Sequence, residues 1–153
     1  MSEGKCAARS GEFEPHKLTF NVDEAVRSDV GTIDSEVSRI MALIKHAAHW
    51  DDLEGIQLSL QEALANAVIH GNGCGSAETV RICIAVQEDH GILVVVKDSG
   101  SGFDPSAIPD PLAEQNLLAS HGRGIFLIKQ FMDDVWFEFE NGTAVYMLKR
   151  RRT

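Results

Sequence analysis

Basic side chains are in short supply: 14 lysines and arginines stand against 23 aspartates and glutamates, a formal charge of −9. That is the wrong sign for a chain that works by neutralising phosphates along DNA or RNA, so no direct nucleic-acid binding is expected and a basic protein partner fits better. Cysteine is scarce as well. Cys6, Cys74 and Cys83 are odd in number and lack C-x-x-C spacing, which signals neither a disulfide framework nor a zinc knuckle and suits a reducing cytoplasm. No window approaches the roughly 18 unbroken apolar residues of a membrane span. The start of the chain mixes Glu3, Lys5, Arg9, Glu12 and Glu14 with no apolar export segment, so neither membrane insertion nor export is expected. Internal repeats and low-complexity tracts are absent.

What is present suits one globular domain. Its 153 residues, 44% hydrophobic and 24% charged, can bury one core and are too few for two. Residues 1–12 carry no periodicity and are expected to be a disordered leader, with a single domain over 13–153. Loose alternation through Leu18, Phe20 and Val22 predicts a strand over 13–22. Ile33, Val37, Ile40, Met41 and Ile44 recur at helical spacing and predict a helix over 33–49, capped by Thr32 or Asp34. Asp51 and Asp52 then suit the positive end of a second helix, over 52–69 and stopping at Gly71. Strands over 79–87 and 92–97 form a hairpin across Glu88, Asp89, His90 and Gly91. Glycine and proline punctuate residues 98–124, a length of connection that is usually functional, with room for a short helix at 112–119. A helix over 124–132 and strands over 135–139 and 144–148, joined by an Asn141-Gly142 turn, complete the chain. The expected fold class is α+β, an antiparallel-rich sheet covered on one face by helices.

Four places carry candidate chemistry. Glu62, Asn66 and His70 recur every four residues on the second helix and share a face opposed to Ile56, Leu60, Leu64 and Val68. A solvated helix face is the plainer reading, but asparagine is a poor residue for a helix interior, and Ala63, Ala65 and Ala67 leave room for a ligand. An asparagine carbonyl offers a hard oxygen to Mg²⁺, and a glutamate one turn earlier can orient a hydroxyl. Next, Asp98-Ser99-Gly100-Ser101-Gly102-Phe103 leaves an apolar strand, where a terminal carboxylate can accept a hydrogen bond from an exocyclic amine and glycines let backbone approach a flat ligand. Third, His121-Gly122-Arg123-Gly124 enters an apolar helix, where free N–H groups, the helix dipole and an arginine suit an anion. Gly142-Thr143 is the fourth, and taken alone it is a turn.

In this order the four resemble the N, G1 and G2 boxes and the terminal Gly-Thr of the GHKL ATPase superfamily, which has the Bergerat nucleotide fold. The helix reads Glu62-x-x-x-Asn66-Ala67-x-x-His70-Gly71-Asn72, and residues 97–135 look like bacterial anti-sigma-factor serine/threonine kinases of the RsbW and SpoIIAB kind. The resemblance runs over about residues 13–150 and implies a two-layer α/β sandwich with a mixed, mostly antiparallel sheet. It implies ATP and Mg²⁺ as cofactors. Glu62 becomes the catalytic carboxylate, Asn66 the Mg²⁺ ligand, and Asp98 the adenine contact, with Gly100 and Gly102 shaping the pocket and Thr143 assisting. Residues 103–121 become a lid, and Gly122, Arg123 and Gly124 meet the phosphates, while His70 either touches phosphate or ribose or simply caps its helix.

The implied function is a cytoplasmic protein kinase that phosphorylates a STAS-type anti-anti-sigma factor and otherwise sequesters a sigma factor, with a homodimer as a candidate assembly. A nucleotide-dependent binding module without phosphotransfer, and an ATPase module within a larger assembly, are the rival readings. Only one helix precedes the N box, which leaves no helical hairpin for a phospho-accepting histidine, so His46 and His49 are read as ordinary histidines. Plain readings also serve elsewhere: Cys74 and Cys83 as filler, Trp50 and Trp136 as core or rim aromatics, Arg39 as a surface arginine rather than a partner contact, and Lys149-Arg150-Arg151-Arg152 as a solvated end.

Overall fold

Among the described residues, eight helices and strands follow in order: β1 (Phe20–Arg27), α1 (Ile33–Ala47), α2 (Glu54–Asn66), β2 (Thr79–Gln87), β3 (Gly91–Asp98), α3 (Arg123–Phe131), β4 (Asp134–Glu138) and β5 (Ala144–Arg150). The computed structural model describes residues 13–27, 29–68, 79–98, 123–139 and 142–151. Every strand pairing among them is antiparallel, in the spatial order β1-β2-β3-β5-β4. The expected α+β class, helices against an antiparallel sheet, is what the chain adopts.

β2 and β3 are apolar almost without alternation because both of their faces are buried. Ile82, Ile84, Ile92, Val94 and Val96 face the helices, meeting Val37, Ile40, Met41 and Ile44 of α1, Ile56, Leu60 and Leu64 of α2, and Ile125 and Ile128 of α3. The intervening residues Cys83, Ala85, Leu93 and Val95 join Ala144, Tyr146 and Leu148 of β5 on the opposite, outer face. Helix periodicity thus selects one stripe per helix, and the period-two alternation of the strands divides the sheet between two clusters.

α2 and α3 run antiparallel in close contact. Gly55, at the start of α2, meets the end of α3, where an added Cβ would lie 3.0 Å from Phe131 Cβ. Gly124, at the start of α3, meets the end of α2. The last turn of α3 is also held from the sheet, since Lys149 Nζ donates to the Phe131 carbonyl at 2.9 Å. The C-terminal end of α3 therefore lies by the end of β5, and its N-terminus beside the end of α2.

Three expectations need correction. β1 begins at Phe20, not at residue 13, and carries Asp23 and Glu24 inside it. Local pattern penalises acidic residues in a strand, but distant arginines neutralise them: Arg81 Nε donates to Asp23 Oδ1 at 2.6 Å, and the Arg39 guanidinium bridges Glu24 and Glu36. The basic tail is anchored through its first three residues, Arg152 lying outside the described residues. Lys149 holds α3, Arg150 pairs with Asp134 at 2.6 Å, and Arg151 Nη1 donates to the Glu88 carbonyl at 3.0 Å. Cys83, read as filler in a chain without disulfides, is disulfide-bonded, its partner lying outside the described residues. Trp50 is half-buried, and Arg39 lies on the surface in its ion pairs with Glu24 and Glu36. α1 ends near its expected limit, the expected stop of the second helix at Gly71 lies outside the described residues, His49 is an exposed histidine, and Trp136 stacks on Tyr146 at 5.2 Å between ring centroids. The short helix at 112–119 and Cys74 lie outside the described residues.

The β2–β3 turn is tethered to the segment between α1 and α2. The His49 backbone N–H and imidazole both meet Glu88 Oε1, and Trp50 Nε1 donates to the Glu88 carbonyl. The His49 amide, and then its ring, hold the Glu88 carboxyl below its ordinary pKa. A carboxyl lowered on folding supports the fold above its unfolded pKa, and this support is lost as the pH falls through the folded value.

Leu60, fully buried where α2 crosses the sheet, offers the direct test of the helix–sheet core. Leu60→Ala should destabilise the domain by about 2–5 kcal/mol. The check is urea unfolding, where the midpoint falls and the slope stays constant; an unchanged midpoint would place α2 elsewhere.

Candidate functional site

The end of α2 and the start of α3 make one half of the site. Glu62 and Asn66 are four residues apart on α2, so they stack on one face one turn from each other. Gly124 packs against both: an added Cβ would lie 3.1 Å from Glu62 Oε2 and 3.1 Å from Asn66 Nδ2. A carboxylate and a carboxamide are thereby brought beside the N-terminal turn of a nine-residue helix, whose first N–H groups have no partner within the helix. Such a terminus favours negative charge through its dipole as well as through those donors.

The other half forms where β3 ends against the start of β5. Regular pairing stops at Lys97 and Ala144, and one further residue pair extends it. Asp98 N donates to the Thr143 carbonyl at 3.0 Å, and Thr143 N donates to Asp98 Oδ1 at 3.2 Å. Asp98 is 4% exposed, so a carboxylate is held in a fixed place with little access to water. Gly142 makes this possible. Its φ of +118° suits glycine, and an added Cβ would sit 2.2 Å from the Asp98 carbonyl oxygen.

Both halves hold polar atoms that the fold leaves unsatisfied. Among the described residues, Asn66 Nδ2, Thr143 Oγ1 and Ser59 Oγ are buried without a hydrogen-bond partner. Buried polar groups are otherwise nearly always paired, because an unpaired one costs about 1–3 kcal/mol. Two of the three belong to sequence-predicted site residues, one in each half. That pattern fits a polar ligand spanning the edge of the sheet, and the amide of Asn66 can turn its oxygen toward a cation as readily as its nitrogen toward an acceptor. Among the described residues no cluster of three or more His, Cys, Asp or Glu gathers in a form that could hold a metal ion.

Of the residues predicted from sequence, Glu62, Asn66 and Gly124 are brought together, and Asp98 and Thr143 are brought together. Arg123 is the first residue of α3. His70, Gly100, Gly102 and Gly122, and the lid expected over 103–121, lie outside the described residues. Gly142 was missed as a structural requirement of the site. The Asn141-Gly142 pair marked a turn, but no local signal shows that its backbone presses on Asp98.

The chain matches the histidine kinase-like ATPase domain over residues 25–149. It belongs to the histidine kinase-like ATPase family. The family's nucleotide is ATP, in keeping with the anion-favouring helix end and the buried carboxylate. Curated relatives agree with that placement. Serine-protein kinase RsbW of Staphylococcus epidermidis is 32% identical over 109 residues, which cover 67% of this chain and 68% of the relative. Anti-sigma F factor of Clostridium perfringens is 32% identical over 107 residues, 67% of this chain and 76% of that protein. Serine-protein kinase RsbW of Oceanobacillus iheyensis is 29% identical over 106 residues, covering 65% and 66%.

The two glycines of this histidine kinase-like ATPase domain should respond differently to the same change. Gly142→Ala forces a Cβ against a backbone carbonyl that cannot move without breaking the β3–β5 edge, and adds left-handed strain, so it should cost roughly 1–3 kcal/mol. Gly124→Ala meets the ends of two side chains that can shift, and should lower stability less. Urea midpoints measure the ranking, and equal midpoints would mean that the Asp98–Thr143 edge is not the tighter contact.

Proposed function

We propose that this chain is an ATP-dependent protein serine/threonine kinase that acts as an anti-sigma factor, phosphorylating a STAS-type anti-anti-sigma factor in a partner-switching pathway. The packing of Glu62 and Asn66 against Gly124 at the start of α3 carries this reading, because it supports a carboxylate and a carboxamide acting beside a helix terminus that favours anions. The family supplies ATP, and the relatives' names supply the class of activity.

On this reading the residues divide the work between binding and transfer. Asp98 accepts a hydrogen bond from the adenine amine, Thr143 contacts the same ring edge, and Gly100 and Gly102 let the backbone pass close to it. Asn66 holds the Mg²⁺ that accompanies the triphosphate, a cation whose chemistry is to neutralise charge on the phosphate oxygens. The N-terminal turn of α3, with Gly122, Arg123 and Gly124, would meet the phosphates, and His70 would touch phosphate or ribose or cap its helix. Glu62 takes the proton of the attacking serine or threonine hydroxyl as its oxygen bonds to the terminal phosphorus and the bond from phosphorus to the ADP oxygen breaks. The fit to Mg²⁺-ATP rests on the unsatisfied Asn66 amide and Thr143 hydroxyl, which such a ligand would satisfy.

The net charge of −9 suits a basic face on a sigma factor. No helix among the described residues is long and apolar enough to cross a membrane, in keeping with a cytoplasmic partner, and a homodimer remains a candidate assembly for light scattering to read.

Binding and chemistry separate in two variants. Asp98→Ala should abolish the preference for ATP over GTP in calorimetry, since guanine presents a carbonyl where adenine presents its amine. Equal wild-type affinity for both nucleotides would remove Asp98 from this role. Glu62→Gln should still bind ATP and the anti-anti-sigma partner, yet transfer labelled phosphate about 10²- to 10⁴-fold more slowly. A wild-type chain that binds the partner and leaves it unlabelled would be a binding module instead, the role that the name Anti-sigma F factor describes. Transfer by Glu62→Gln at the wild-type rate would leave the kinase and dismiss its catalytic residue.

A further inference from the structure

The cations of the basic tail share a cavity with carboxylates that they do not bind. This cavity, of about 300 Å³, is lined by His49, Trp50, Asp51 and Asp52 of the segment between α1 and α2, and by Lys149, Arg150 and Arg151 where β5 ends. The candidate site described above stands at the other end of the same strand, where β5 begins at Ala144, about 20 Å away at the usual strand rise.

The charges around this cavity are unevenly engaged. Arg150 is ion-paired with Asp134, and the His49 ring is held by Glu88. Lys149 and Arg151 direct their side chains to backbone carbonyls, those of Phe131 and Glu88, and neither makes a salt bridge among the described residues. A carbonyl occupies only one N–H of an ammonium or a guanidinium, so donors remain on both. Asp51 and Asp52 are exposed, and among the described residues their carboxylates have no hydrogen-bond or ion-pair partner. Two carboxylates and two cations therefore line one space without meeting. Exposed ion pairs add little to stability, so folding does not require them to meet. A molecule that carries both charges can engage both sets at once.

We propose that this cavity binds a free α-amino acid with an uncharged side chain. The carboxylate of such a molecule meets Lys149 and Arg151, and its ammonium meets Asp51 and Asp52. The match is one of count as well as sign, because equal numbers of unpaired carboxylates and cations are balanced by a ligand of no net charge. Trp50, half-buried, supplies the apolar surface against which the side chain lies, its indole N–H being already engaged by the Glu88 carbonyl at 3.2 Å. The volume stands at the small end of ligand cavities and suits a single amino acid rather than a stretch of peptide. This site is separate from the proposed kinase chemistry and does not rest on it.

Two tryptophans, one at the cavity and one away from it, let binding be located. Trp50 lines the cavity and packs against the helix-side cluster, whereas Trp136 stacks on Tyr146 on the outer face of the sheet. In nitrogen–proton correlation spectra of the isotope-labelled full chain, the uncharged α-amino acids from glycine to tryptophan are added singly to about 10 mM, a ceiling beyond which binding is too weak to define a site. At least one should shift the indole N–H of Trp50 and leave that of Trp136 in place. The amino acid that binds best is then compared with its N-acetyl derivative, which has lost the ammonium, and with its amide, which has lost the carboxylate. Each should bind about tenfold more weakly or worse, since each forgoes a charge-assisted set of hydrogen bonds. Asp51→Asn combined with Asp52→Asn should weaken binding of the amino acid by a similar factor at an unchanged thermal midpoint, neither carboxylate having a partner in the fold to lose. Arg151→Gln should weaken it as well. No shift of Trp50 with any of these amino acids, a shift of Trp136 alone, undiminished affinity for either blocked derivative, or undiminished affinity in the double variant would each overturn the proposal.

Discussion

The approach of α2 to α3 is the contact on which the candidate site depends. Helix axes stand as far apart as the residues between them require. Here Gly55 faces Phe131 at one end and Gly124 faces Glu62 and Asn66 at the other. Ser59, small and buried, lies on the same face of α2 between them. Larger residues at these positions would move α3 outward and take its N-terminus away from the carboxylate and carboxamide. A packing constraint between two helices thus becomes a positional constraint on the chemistry, and Lys149, reaching from β5 to the last turn of α3, extends it to the sheet.

The second half of the site is organised by backbone, and its logic differs. Asp98 and Thr143 exchange hydrogen bonds as the last pair of a ladder, so the carboxylate inherits the rigidity of the sheet rather than that of a side-chain network. Packing positions Glu62 and Asn66, whose ends can shift by a few tenths of an ångström. Strand pairing positions Asp98, which cannot shift without unzipping β3 from β5. On the reading of the site given above, that contrast is useful. Recognition of a flat base gains from a fixed acceptor, whereas phosphate transfer needs groups that adjust as charge develops.

Much of this was legible in the sequence, and the misses share a cause. Hydrophobic period alone located α1, α2, the β2–β3 hairpin, α3 and the last hairpin, because each buries one stripe or alternates between two faces. The polar face of α2 and the glycine at the start of α3 were each visible, but that they touch was legible only through resemblance to a known arrangement. What local pattern could not supply was pairing between distant segments. β3 and β5 are neighbours although α3 and β4 lie between them in the chain, so the Asp98–Thr143 edge has no local signature. β1 was displaced because Arg81 and Arg39 supply, from elsewhere, the charge that Asp23 and Glu24 need. The basic tail was misread for the same reason, its partners being Asp134 and the carbonyls of Glu88 and Phe131.

The unsatisfied atoms connect stability to ligand binding. Asn66 Nδ2 and Thr143 Oγ1 are each buried without a partner, and each forgoes about 1–3 kcal/mol that a paired group would retain. For a domain whose net stability is of order 5–15 kcal/mol, two such groups are a substantial concession. Replacing them with apolar residues of similar shape would remove it, so their presence at two ends of one edge is difficult to attribute to folding. A ligand that satisfies both recovers the deficit only when bound, and binding to the folded state alone stabilises the fold by mass action. Ser59 Oγ is the contrasting case. It is equally buried and unpaired, but it stands one turn after Gly55 on α2, away from the Asn66 end. Two unpaired groups thus stand on one helix, and on the proposed reading only the one at Asn66 meets the ligand.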